Sequence, residues 1–290
     1  MHGEILDKSV GITARLDRTE ALKLALEVSN RFKAAGFSVF LERELAELVG
    51  EGERAIPLEK MDTDLIVIIG GDGTILRTCL RIPKPETPIF AIGLGTRAFL
   101  TEISHERALE AINLYIKGSY KIETHSKIAS FIGDFRLPDA LNEVFITTRH
   151  LSKILHAKIW KDNVEVADCW GDGIIIASQV GSTAYSFSTG GPIVDPSLDA
   201  FIVTPVCPVN LIRPIVFPDN SRITIEILKP KNATIIIDGD YRREIGGREN
   251  RITAMISEHK VNFIRFRYDF YRRLRERLLF PLEEENEQKT

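Results

Sequence analysis

The chain has 290 residues, 44% of them hydrophobic and 27% charged, with 38 basic against 41 acidic side chains and a net charge of -3. That length accommodates two domains and a substantial core. The near-even balance of charge speaks against a general nucleic-acid binder, which is normally basic. In chain order, SVGITAR (9–15) reads as a first strand. RTEALKLALEVSNRFKAAG then carries Leu22, Leu24, Ala25, Val28 and Phe32 at helical spacing, with Gly36 as the stop. FSVFLE predicts the next strand, and DLIVIIGGDGTIL (64–76) the one after it. Its apolar run from Leu65 to Ile69 is too continuous to alternate, as in a parallel strand covered on both faces. PIFAIG (88–93) is a further strand, and HERALEAINLYIKG a helix ending on Gly118. Strands alternating with helices over residues 1–120 imply a parallel, doubly wound α/β sheet.

After residue 120 the pattern changes to short strands divided by turn residues such as Lys161-Asp162-Asn163 and Asp238-Gly239. The expectation is a mainly antiparallel β domain over 121–265. Residues 266–290 close the chain with a basic amphipathic helix and an acidic tail. The helix is read as a solvated face packed through Phe270, Leu274 and Leu278, ahead of a phosphate- or nucleic-acid-binding one. Cys79, Cys169 and Cys207 stand far apart without a Cys-x-x-Cys pair, which supports neither a disulfide framework nor a zinc site. Plain thiols, no apolar leader in MHGEILDKSVG and no apolar run of 18 residues predict a cytoplasmic protein off the membrane.

Three stretches carry chemistry. Gly70-Gly71-Asp72-Gly73-Thr74 ends a buried strand in glycines that permit positive φ and close approach of another molecule. Thr74 opens a helix whose amides favour an anion. A carboxylate beside a phosphate is a conflict unless Asp72 binds a metal or takes a proton. The stretch is neither a Walker loop nor a Gly-x-Gly-x-x-Gly fingerprint, and a tight turn with a capping Asp is its plain structural reading. Asn142 and Glu143 open an apolar strand; as a bare pair they also fit a turn edge. DGIIIASQVGSTAYSFSTGGPIVDP (172–196) runs from a strand into a Ser/Thr/Gly-rich loop around Tyr185, costly to order unless its hydroxyls and amides find partners. A base and a sugar would supply them, with Tyr185 stacking on a ring; a flexible surface loop is the alternative.

Together these stretches resemble the NAD kinase family over nearly the full chain. The carriers are GGDGT at 70–74, NE at 142–143, DG at 172–173 and GSTAYSFSTGGPI at 181–193, supported by PSLDAFIVTPVCP (196–208) and RPIVFP. Diacylglycerol and sphingosine kinases share only the first element, and the polar 172–196 stretch does not suit an acyl chain. A non-catalytic dinucleotide sensor would have no need of Asp72. The resemblance implies an α/β N-terminal and a β C-terminal domain, with NAD bound between them and between subunits of a homodimer or homotetramer. It implies phosphorylation of the 2′-hydroxyl of the adenosine ribose of NAD by ATP or polyphosphate, with Mg²⁺ or another divalent cation accompanying the donor. No metal ligand is assigned to the chain itself, and neither a nucleic acid nor a membrane is implied as a partner.

By the same resemblance Asp72 is the proton acceptor, Gly73 lies against the dinucleotide, and Gly71 and Thr74 belong to the phosphate loop. Asn142 and Glu143 hold the adenosine and its ribose, and Asp172 is another NAD contact. Thr183, Ala184, Tyr185, Ser186 and Ser188 surround the adenine, and Lys153, Trp170 and Asp240 are further contacts. Many bacterial members have Pro-His-Thr-Leu where this chain has Pro208-Val209-Asn210-Leu211, and archaeal-type members are the closer likeness.

Overall fold

The computed structural model describes residues 8–95, 98–149, 153–267 and 270–279. The chain divides into two units, Met1–Glu123 with Asn262–Thr290, and Thr124–Val261.

In the first unit β1 (Ser9–Ala14), β2 (Ser38–Glu42), β3 (Ala55–Ile56), β4 (Leu65–Gly70) and β5 (Ile89–Gly93) pair in parallel in the order β3-β2-β1-β4-β5. Every residue from Leu65 to Gly70 is buried, as the unbroken apolar run requires. Helices α1 (Thr19–Ala34), α2 (Arg43–Val49) and α3 (Asp72–Arg81) connect the strands. α1 buries Ala21, Leu24, Ala25, Val28 and Phe32, and Gly36 at φ 88° makes the left-handed stop. β6 (Ile103–Ser104) pairs with β5 and leads into α4 (Ala108–Ile116), after which Gly118 adopts φ 73°. The chain runs from β1 to β2 on one side, and β4 lies on the other. That reversal opens a crevice at the carboxyl ends of β1 and β4.

β7 (Lys121–Ile132) leads into the second unit, where β8 (Phe135–Arg136) pairs back on it. β9 (Glu143–Thr148), β10 (Leu155–Lys161), β11 (Val164–Gly171) and β12 (Gly173–Ala177) follow. β13 (Ala200–Val206), β14 (Ile215–Pro218), β15 (Ile223–Lys229), β16 (Asn232–Ile237), β17 (Tyr241–Gly246) and β18 (Arg251–Arg265) complete it. One sheet is antiparallel throughout, in the order β14-β13-β12-β9-β16-β17. In the other, β11, β10, β15 and β18 are neighbours, all antiparallel. The expected turns close two hairpins, with Asp162 at φ 55° and Asp238 and Gly239 at φ 48° and 73°. The chain re-enters the first unit within β18, where Phe263 pairs with Ile89 in parallel. An α/β domain followed by an antiparallel one is the fold class that the sequence predicts.

At the end, a short helix α6 (Phe270–Arg273) widens into a π-helical segment, Leu274–Leu279. Phe270 and Leu274 are buried and Leu278 partly so, as expected. The basic side chains depart from a solvated face. Arg273 is buried among Glu102 and Glu123, and Arg277 turns inward onto backbone carbonyls. The acidic tail lies outside the described residues.

Candidate active site

The first set of site residues gathers at the crevice of the first unit, a cleft of about 620 Å³ walled by Gly70, Gly71, Asp72, Gly73, Arg15 and Arg18. The glycines are there for space, since none of Gly70, Gly71 and Gly73 has a positive φ. A Cβ on Gly70 would strike the Thr74 side chain folded back over it. A Cβ on Gly73 would meet no protein atom within 4 Å; Gly73 borders the cleft, so there a side chain would take ligand volume. The helix starts at Asp72, two residues earlier than Thr74, with Gly71 as its N-cap. Asp72 is thus the first helical residue, where the dipole favours its negative charge. Both carboxylate oxygens are engaged: the Phe99 N–H donates to Oδ2 at 2.8 Å and the Leu100 N–H to Oδ1 at 2.9 Å. Burial pushes the Asp72 carboxyl up from the ordinary carboxylate range, opposed by these two amides and by the cations of Arg277 and Arg265. Each oxygen keeps a second lone pair for another donor.

The second set is built in the second unit around the start of β9. Asn142 and Glu143 are 6% and 9% exposed. Their position is set by a residue absent from the sequence-based list, Asp238 in the β16–β17 turn. Its carboxylate accepts the N–H groups of Leu141, Asn142 and Glu143 at 2.7, 2.8 and 3.0 Å. Burial lifts Asp238 to about 6 against those three amides and Lys127. Burial, and then the Asp238 charge, push Glu143 up to about 8, opposed by a backbone hydrogen bond of Tyr185. Asn142 Oδ1 and Glu143 Oε2 are fully buried and have no hydrogen-bond partner. A buried polar atom left unpaired costs about 1–3 kcal/mol, so the protein carries that cost at two oxygens of consecutive residues.

The Ser/Thr-rich stretch after β12 is not a loop. It folds as a 3-10 turn, Val180–Thr183, followed by the helical turn α5 (Tyr185–Ser188). The hydroxyls of Ser178, Ser182, Thr183, Ser186 and Thr189 find partners within the unit, which meets much of the cost that the composition alone leaves open. Ser178 Oγ donates to Leu141 O and accepts from Gly181 N, and Thr183 Oγ1 donates to Val180 O. Ser186 is buried with its hydroxyl bonded to Thr204, which leaves it facing the protein interior. Gly181 packs against the Asn142 backbone so closely that any Cβ would overlap it. Tyr185 stands 40% exposed with its ring edge-on to Phe145 at 5.2 Å. Its hydroxyl is pushed up by burial first and then by the charges of Cys207, Asp172 and Glu143.

Thus Asn142, Glu143, Thr183, Ala184 and Tyr185 come together, whereas Asp172 lies before the other end of β12, where Gly173 pairs with Thr147 while Ala177 pairs with Glu143. Ser188 is an exposed residue at the end of α5. Lys153 and Asp240 are exposed in connections, and Trp170 stacks on His156 at 3.7 Å. The divergent segment after Pro208 is tied down by Asn210, whose side chain accepts from Trp170 N and donates to Asp168 O.

Comparison with known proteins bears on both sets. The ATP-NAD kinase N-terminal domain profile matches residues 10–120 and the ATP-NAD kinase C-terminal domain profile residues 141–266. The NAD kinase of Methanothermobacter thermautotrophicus is 41% identical over 93% of this chain and 96% of its own. That of Thermococcus kodakarensis is 39% identical over 90% and 95%. Among solved structures, an NAD kinase from Archaeoglobus fulgidus in complex with ATP superimposes with a TM-score of 0.77 at 27% identity, covering 93% of this chain and 98% of that one. Yeast NADH kinase complexed with NADH shares the fold, with a TM-score of 0.86 at 22% identity over 99% and 91% of the two chains. The chain belongs to the NAD kinase family.

Proposed function

We propose that this protein transfers the terminal phosphoryl group of ATP to the 2′-hydroxyl of the adenosine ribose of NAD, forming NADP. Family membership supports the reaction, and one observation carries the assignment of the nucleoside residues. Asn142 and Glu143 present two buried side-chain oxygens without partners, and a nucleoside offers donors in its exocyclic amine and in ribose hydroxyls, which would favour the ionised Glu143. In this reading Asn142 faces the base side, Glu143 accepts from the ribose, and Tyr185 walls the adenine with Thr183 and Ala184. Asp172, Ser188, Lys153, Trp170 and Asp240 are outer contacts, whereas the Ser186 hydroxyl acts by bracing α5.

Asp72 takes the proton of the attacking hydroxyl. A ribose hydroxyl is a weak nucleophile, and phosphoryl transfer has a loose transition state, so positioning and charge neutralisation dominate. The two amides fix the carboxylate plane and leave lone pairs for the hydroxyl; such general-base help is worth about 10²–10⁴-fold. Gly71, Gly73 and Thr74 at the start of α3 receive phosphate oxygens. Arg15 and Arg18, which the motif reading leaves out, line the same cleft with Glu20; Arg15 is paired with Asp17, and Arg18 offers its guanidinium to the donor. No cluster of three or more His, Cys, Asp or Glu side chains that could hold a metal ion occurs among the described residues. The divalent cation enters this account on the phosphates of ATP, as part of the substrate. Steady-state assay of NADP formation from NAD and MgATP, with Glu143→Ala and Asp72→Asn beside the wild type, tests the reading. Glu143→Ala should raise KM for NAD more than KM for ATP; the opposite pattern would put Glu143 on the donor.

A further inference from the structure

We infer that the C-terminal helical segment positions the proton acceptor: Arg277 and Phe270 hold the backbone whose two amides grip the Asp72 carboxylate, so Arg277 is a positioning residue for phosphoryl transfer. The inference rests on the assignment of Asp72 as acceptor.

The grip on Asp72 comes from residues 99 and 100, which lie in irregular backbone between β5 and β6. No strand ladder orients those peptides, so something else must. Arg277 Nη1 donates to the Ala98 carbonyl, and to Thr101 O and Thr101 Oγ1 at 3.1 and 3.2 Å. One guanidinium therefore pins the backbone on either side of the two amides. Arg265 adds a bond to Leu100 O at 3.1 Å, and is itself held by Glu123 at 2.5 Å and Glu102 at 3.3 Å. Phe270, the first residue of α6, sets its ring edge-on to Phe99 at 6.0 Å and 84°.

The Ala98 contact does more than hold a loop. The carbonyl of Ala98 and the N–H of Phe99 belong to one peptide group. That group accepts from the Arg277 cation at one end and donates to the Asp72 anion at the other. Hydrogen bonds in such a chain polarise one another, so the arginine strengthens the amide that orients the carboxylate. Its charge also acts directly, favouring the ionised form of Asp72 against the burial that disfavours it. Among the described residues, Arg265 also acts on the charge of Asp72, and Arg15, Arg18 and Glu20 line the cleft beside it.

The test compares Arg277→Gln, Arg277→Lys and Asp72→Asn with the wild type, in kcat, KM for NAD and ATP, Tm and the pH profile of kcat. Arg275→Gln is the control, because Arg275 is exposed and contacts only its neighbour Glu276 among the described ion pairs. Arg277→Gln should lower kcat tenfold or more and change either KM less than about threefold. Because Asp72 works ionised, losing the cation should also move the acid limb of kcat to higher pH, an effect a purely structural role would not give. Arg277→Lys keeps the charge but ends one bond short of Nη1, the nitrogen that makes all three bonds, so the limb should stay in place while kcat remains reduced. A folded Arg277→Gln enzyme with wild-type kcat and an unmoved acid limb overturns the inference. If Arg277→Gln does not fold, wild-type kcat in Arg277→Lys overturns it instead. An active Asp72→Asn enzyme would remove the acceptor assignment itself. An inactive one beside a wild-type-like Arg277→Gln would remove only the positioning role.

Discussion

Glu143→Gln keeps the shape of a buried side chain and removes its ionisation. In the free protein the Glu143 carboxyl lies at about 8 against an ordinary 4.5, because of burial first and Asp238 second. At about 1.4 kcal/mol for each tenfold change in proton affinity, ionising it in the folded chain costs on the order of 5 kcal/mol more than in the unfolded one. The folded state thus keeps a proton that the unfolded state releases, and stability falls as pH rises from 4.5 through 8. The Gln variant holds no such proton. Its stability relative to wild type should climb with pH, by several kcal/mol between about pH 5 and pH 9, with the order-of-magnitude figure above as the ceiling. Asp238, lifted to about 6, titrates in both proteins and largely cancels in the difference. Urea unfolding without nucleotide, in steps across this range, measures it. Ribose hydroxyls donating to Glu143 would favour its ionised form, so wild-type affinity for NAD should also rise between about pH 6 and pH 8 while that of the variant stays flat. Two stability curves that run parallel with pH would refute the buried, protonated Glu143.

Gly181→Ala should damage the same centre from behind. Its Cβ would meet the Asn142 backbone, so a loss of 1–3 kcal/mol or more in urea unfolding and a raised KM for NAD are expected. Asp238→Ala should leave the three amides of 141–143 without their acceptor, costing at least about 1–3 kcal/mol and weakening NAD binding without touching KM for ATP. Amide exchange across 181–190 should slow on addition of NAD, and no added protection there would place the adenine elsewhere. If the family resemblance extends to a site shared between subunits, specific activity should fall on dilution and saturating NAD should oppose the loss. Full activity of a monomer at nanomolar concentration would exclude the shared site.

The parallel sheet was legible because β4 is an uninterrupted aliphatic run and α1 a clean amphipathic pattern, ending on a glycine that the structure puts at φ 88°. The glycines of 70–73 do line a cleft, but for a different reason from the one the residue type suggests: Gly70 answers a packing collision with Thr74. α2 was not anticipated, although Leu45 and Ala46 are buried and Gly50 at φ 77° closes it. In the second unit, composition identified 181–190 as unusual yet could not show that Ser178, Thr183 and Ser186 bond inside the protein. Asp238 escaped because Asp-Gly reads as a turn. Only the fold brings that turn beneath three amides nearly a hundred residues earlier. The arginines of the last helix escaped for the same reason: their partners Glu102, Glu123 and the 98–101 carbonyls are distant in sequence. Local patterns announce elements and glycine-rich strand ends, whereas the groups that orient side chains around them are set by long-range contacts.

The most direct test is the rate of NADP formation from NAD and MgATP by wild-type protein and by Asp72→Asn, with NAD binding to both measured by calorimetry. The account predicts NADP from the wild type, a fall in kcat of about 10²-fold or more in the variant, and NAD affinity nearly unchanged between them. Wild-type protein that makes no NADP, or an Asp72→Asn protein that turns over at the wild-type rate, would contradict it.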